Sequence, residues 1–154
     1  HTIDESVVSL SKIVNDEERR KKLSILVKEV YEKTHVANPP ENYDLGKWES
    51  MVFNEDTIME GSYMLTVNDH IFGFALLHMG DKPNSLEFGW RGITEEKDMK
   101  WIMLLTAHQI KYAIENGYKN IIGEMDTTDP YSLEVLKKFP FTPSPTWITY
   151  KKVR

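Results

Sequence analysis

Few residues in this chain are of types that do chemistry, and the carboxylates stand out. Glu87 lies between Leu86 and Phe88, while Glu124 and Asp126 flank Met125, all in strand-like apolar runs. A carboxylate in such a setting can move protons, provided it reaches the proton and holds a suitable pKa. Strand alternation allows Glu87 to face solvent instead, and it puts Glu124 and Asp126 on one shared face. No cysteine is present, which excludes a thiol nucleophile, a CxxC redox site and Cys-ligated zinc. The five histidines form no HExxH or comparable ligand spacing, so no metal is expected.

These groups must be held by a fold, and composition bounds it. A chain of 154 residues with 40% hydrophobic and 11% aromatic residues is not of the disordered class. At that length about 69% of the unfolded surface is buried, enough for one core and one domain over 1–154. The formal charge of −5 argues against a nucleic-acid partner. No run approaches the roughly 20 apolar residues that span a bilayer, and no basic-then-apolar leader is visible. No membrane partner and a cytoplasmic location are therefore expected. The chain opens His1-Thr2-Ile3 without an initiator Met, as a cloning scar or a domain cut from a longer chain would.

The elements follow from local patterns. Val7, Val8 and Leu10 suggest a first strand, and Asn15 followed by Glu18 has the form of a capping box. Leu23, Leu26, Val27, Val30 and Tyr31 then mark one face of a helix that must stop before Asn38-Pro39-Pro40. A shorter helix carrying Leu45, Trp48, Met51 and Val52 follows. Two apolar runs, 63–67 and 71–77, flank Asn68-Asp69 as a hairpin, and Ser85 to Ile93 forms the next strand. Gly89 inside that strand marks a bulge or a close backbone approach. A helix runs from Asp98 to Asn116, with Gly117 past its end. Its apolar positions are Met99, Ile102, Met103, Ala107, Ile110 and Ile114, widened by Trp101, Leu104 and Tyr112. Asn120 to Met125 reads as a strand, Asp129 to Phe139 as a helix, and Trp147 to Lys151 as a final strand. The order is β-α-α-β-β-β-α-β-α-β, an antiparallel meander leading into one parallel crossover.

That order, with the string GWRGITEEKDMKWIMLLTAHQIKYAIENGYKNIIGEMDTTDPYSLEVLKKFPF, resembles the GNAT superfamily of N-acetyltransferases. The resemblance runs from Gly61 onward. It is carried by the helix end Tyr112 to Tyr118, the junction Glu124 to Pro130 and the last helix Leu133 to Phe141. It implies a mixed α/β fold of the acyl-CoA N-acyltransferase kind, with acetyl-CoA in a cleft between the fourth and fifth strands. The bulge would expose backbone at Trp90, Gly92 and Ile93 to the pantetheine arm. Lys97, Met99, Lys100 and Trp101 would border the pyrophosphate at the helix start, where free N–H groups favour an anion. Asp129 stands where the family often has Asn. On spacing alone, Met99 and Trp101 read as core.

Two departures accompany the resemblance. Lys97 replaces the family's Arg, and Lys100 and Ile102 occupy two small-residue positions of its phosphate loop, with Asp98 as a competing N-cap. Leu136 stands where many members carry the acid Tyr, and Tyr131 lies earlier on the same helix. The implied base is Glu87, Glu124 or Asp126. The implied acceptor contacts are Asn38, Glu41 and Tyr43, whose loop also reads as a proline-stiffened connector; Thr142 to Thr146 would border the same cleft. The activity implied is acetyl transfer to a primary amine of a small molecule or peptide, with a homodimer or tandem domain as partner. The alternative is a degenerate domain with a structural, ligand-sensing or oligomerisation role.

Overall fold

The computed structural model of the chain describes residues 5–35, 42–94, 99–123 and 130–139. Strand β1 (Glu5–Ser9) passes through a 3₁₀ turn into helix α1 (Glu17–Thr34). The cap of α1 is Asp16, not Asn15: Asp16 holds extended angles and its Oδ1 accepts from the Arg19 N–H at 3.1 Å. The capping residue is the one whose side chain reaches the third N–H, and an anion there also suits the helix dipole. Helix α2 (Leu45–Val52) is capped the same way by Asp44, which accepts from Lys47 N–H at 2.8 Å. Arg20 clamps the two helices. Its Nε donates to Glu49 Oε1 at 2.9 Å, a second nitrogen donates to Val14 O, and the guanidinium lies 4.3 Å over the Phe53 ring.

Strands β2 (Tyr63–Val67) and β3 (His70–Met79) form the expected hairpin. Asn68 and Asp69 both take positive φ, 49° and 66°, as a two-residue turn matched to strand twist requires. Strand β4 (Ser85–Ile93), helix α3 (Lys100–Glu115), strand β5 (Asn120–Ile122) and helix α4 (Pro130–Lys138) complete the described order. The sheet runs β1-β2-β3-β4-β5, antiparallel up to β4 and parallel between β4 and β5. Helices α1 and α2 cover one face through Leu23, Val27, Trp48 and Val52 against Phe74 and Leu76. Helix α3 covers the other through Leu105 and Ala113 against Leu65, Ala75, Leu77 and Leu86.

The face that α3 buries differs from the apolar stripe of its sequence. Ile102, Leu105, Thr106, Gln109 and Ala113 are buried, whereas Ala107 is exposed and Ile114 keeps 72% of its surface. Thr106 meets β4 there: the buried Arg91 donates to its Oγ1 at 2.6 Å. The readings at Asn38, Glu41, Lys97, Asp98, Glu124, Asp126 and Asp129, the loop Thr142 to Thr146 and the final strand lie outside the described residues.

Candidate active site on the fourth strand

Gly89 marks a bulge, as its place in the strand suggested. Leu77 pairs with Phe88 and Ala75 with Arg91, so Leu76 alone faces both Gly89 and Trp90. Among the described residues, β4 pairs with β5 at Ser85, Leu86 and Glu87, opposite Asn120, Ile121 and Ile122. Beyond the bulge, the register decides which backbone groups face the β5 side. Thr94 N–H donates to Phe72 O at 2.9 Å, so Ile93 and Gly73 form a non-hydrogen-bonded pair. The N–H and C=O of Ile93, and by alternation those of Arg91, therefore point away from β3 toward the β5 edge. Those of Gly92 point to Phe74 on β3.

Two elements border that edge. Tyr131, in the first turn of α4, donates its hydroxyl to Ile93 O at 2.8 Å and packs against the cores of both sheet faces. Helix α3 starts with Met99 at its N-cap position, in helical angles and without a side-chain cap bond. Met99 and Trp101 pack against Ile93, Ile102 and Val135, and Lys100 places its Nζ 5.8 Å from the Trp101 ring centroid. The side chains of Met99 and Trp101 thus serve the core, as their spacing suggested. Their backbone opens the helix that follows β4.

On the α1/α2 face of the bulge, a second group assembles. Trp90 lies 5.7 Å from Trp48 and 5.2 Å from Tyr31, centroid to centroid, and Tyr43 lies 6.2 Å from Trp48. His35, the C-cap of α1, stacks on Tyr31 at 3.8 Å. Trp48 is 1% exposed, yet its indole N–H has no acceptor among the described residues. Glu87 is half-buried and pairs directly with His78 across β3 and β4. Directly paired residues share a face, with Cβ atoms about 5 Å apart. The His78 imidazole lies against Gly89, in the space that a Cβ there would need. Burial holds the His78 pKa below the ordinary 6.5, and Asp56 acts in the opposite sense.

Of the described candidates, the structure brings Glu87, Trp90 and Tyr43 to one sheet face, and puts Ile93, Met99, Lys100 and Trp101 around the β4 edge and the start of α3. Gly92 serves packing: Val30 of α1 fills the space that a Cβ at 92 would take. The sequence reading missed His78, Tyr31 and Trp48, and it placed Tyr131 away from the site. His78 shows no local signal, because only the β3–β4 register makes it a neighbour of Glu87. Among the described residues no cluster of His, Asp or Glu could hold a metal, and no helix is long and apolar enough to cross a membrane.

The described residues form a mixed sheet with a bulged fourth strand and a helix crossing over to a parallel fifth strand, a fold shared with solved N-acetyltransferases. Solved structures bear this out for the fold. An aminoglycoside N-acetyltransferase AAC(6')-Iy in complex with CoA superposes with TM-score 0.67 at 12% identity, covering 100% of this chain and 98% of that one. A ribosomal-protein-alanine N-acetyltransferase from Brucella melitensis biovar Abortus 2308 gives 0.68 at 10% identity, over 95% and 96%. A PaiA N-acetyltransferase from Thermoplasma acidophilum, in complex with coenzyme A, gives 0.66 at 15%, over 95% and 93%. No family model matches the sequence, and no curated protein matches it.

Proposed function

We propose that this chain, as one domain, transfers an acetyl group from acetyl-CoA to a primary amine. The observation that carries this is the bulged β4 with the backbone of Arg91 and Ile93 turned away from β3, toward the side on which β5 pairs. Strand N–H groups at such an edge suit the amides of a pantetheine arm and polarise a thioester oxygen. The first turn of α3 at Met99 to Trp101, with Lys100 and Lys97 adding positive charge, suits the pyrophosphate. Acetyl-CoA would supply the activated acyl carbon. The chain's own residues then orient the amine and remove its proton, a task for which the sequence offers the carboxylates Glu87, Glu124 and Asp126. Tyr43, Asn38 and Glu41 would meet the acceptor, small molecule or peptide. AAC(6')-Iy and the ribosomal-protein enzyme support an amine acceptor, and a cytoplasmic location suits a CoA thioester.

Thermal unfolding with acetyl-CoA tests this directly. At 100 times its Kd the ligand should stabilise the fold by about 2.7 kcal/mol. With kanamycin or an alanyl peptide as acceptor, Glu87→Gln should lower kcat by about 10²-fold or more if Glu87 serves the proton transfer. No shift at millimolar acetyl-CoA refutes the proposal. A shift without turnover on any amine supports the second reading, a ligand-sensing or structural domain, alone or paired in a homodimer or tandem protein. One feature favours that alternative: the Tyr131 hydroxyl already occupies the Ile93 carbonyl.

A further inference from the structure

We propose, resting on the acetyltransferase reading above, that His78 Nε2 is the atom that takes the proton from the acceptor amine, with Glu87 beside it holding the resulting imidazolium. The tautomer follows from hydrogen-bond accounting. Thr57 spends its hydroxyl hydrogen on Val52 O at 2.9 Å. Toward His78 Nδ1, 3.4 Å away, Thr57 Oγ1 can therefore only accept. Nδ1 carries the hydrogen, and Nε2 keeps the lone pair. The Nε2 edge lies against Gly89, at the bulge where the thioester carbon would sit, and no donor among the described residues reaches it. Position 89 must be glycine for the ring to be there, since a Cβ would meet both Nε2 and Cδ2. Burial keeps the ring neutral near pH 7, the form that accepts a proton. The charged groups beside it are Asp56 from the α2–β2 connector, which favours the imidazolium once it forms, and Glu87, its direct partner across the strand pair.

The step balances as follows. An ammonium loses one proton to Nε2, and the freed lone pair forms a bond to the thioester carbon. The C–S bond breaks, its electron pair leaves with sulfur, and the surplus proton on the new amide nitrogen goes to the thiolate. His78 then returns its proton to solvent.

Two variants and one spectrum test this. His78→Asn keeps an N–H near the Nδ1 position for Thr57 and removes Nε2, while His78→Gln keeps a polar atom near Nε2 that takes no proton. With kanamycin, spermidine or an alanyl peptide as acceptor, both should lower kcat about 10²- to 10³-fold. The KM for acetyl-CoA should stay within twofold, and the acidic limb of kcat/KM should vanish. Nitrogen-15 spectra of the unmodified protein at pH 8 should show Nδ1–H with an unprotonated Nε2, whatever the variants do. An Nε2–H tautomer overturns the proposal, as does a folded variant with kcat within threefold and the acidic limb intact. Loss of activity in Glu87→Gln but not in His78→Asn assigns the proton to Glu87 and overturns it too. No CoA release by the unmodified protein with any of the three amines overturns this step and leaves acetyl-CoA binding, read by thermal shift, to judge the broader reading.

Discussion

The residue on which the cofactor question turns is Tyr131. Its hydroxyl donates to Ile93 O, and under the proposed function a pantetheine amide bonding at that edge would compete with it. Deleting the hydroxyl should cost about 0.5–1.5 kcal/mol of stability, the usual net worth of a partly buried hydrogen bond. It should also free that carbonyl, so Tyr131→Phe is expected to melt a few degrees lower and bind acetyl-CoA several-fold more tightly. Calorimetric titration checks the affinity, and unchanged or weaker binding would show that Tyr131 stands clear of the ligand's path. From sequence, Tyr131 looked misplaced by its position along α4. That position is right for a different task, because the end of β4 brings Ile93 to the first turn of α4.

At the scale of elements, the approach of α1 to β4 depends on Gly92. A Cβ there would run into Val30 Cγ1 and lie 3.3 Å from Val30 Cβ, and Val30 is a buried, β-branched side chain with little freedom to yield. Gly92→Ala should therefore destabilise by about 1–3 kcal/mol, as overpacking does. Urea unfolding checks this, and an unchanged midpoint would mean that α1 moves away without cost. The helices, the hairpin and the bulge were legible in the sequence because their causes are local: apolar helix spacing, the Asn68-Asp69 turn, and Gly89 in a strand; the α1 cap was read one residue early, at Asn15 instead of Asp16. The buried side of α3 was not legible. Thr106 is buried where Arg91, 15 residues earlier on β4, donates to it, and no periodicity within the helix reports that. The site was half legible for the same reason. Glu87 and Trp90 carry strand signals of their own, but His78 and Trp48 gain meaning only through register and packing against β4.

Across the whole molecule, the titrating groups with shifted pKa values among the described residues bracket a pH range of full stability. His78 is held below 6.5 chiefly by burial, so as pH falls the unfolded chain takes its proton first. The stability tied to its neutral form is complete above about 6.5 and is lost as pH drops toward the folded value. Tyr63 and Tyr112 are raised above 10.0, both mainly by burial, with Glu115 acting on Tyr63, and Tyr118, Glu60 and Tyr63 on Tyr112. Their contribution is complete below 10 and is lost as pH rises through their folded values. Urea midpoints should then be flat between about pH 6.5 and 10 and fall on either side. Between pH 7.5 and 5.5, above the carboxylate range, His78→Asn should lose most of that decline, and Tyr63→Phe should blunt the alkaline one. A wild-type acid slope that persists in His78→Asn would place its origin elsewhere. If it disappears, one neutral imidazole links the packing at the bulge to the pH at which the proposed transfer can run.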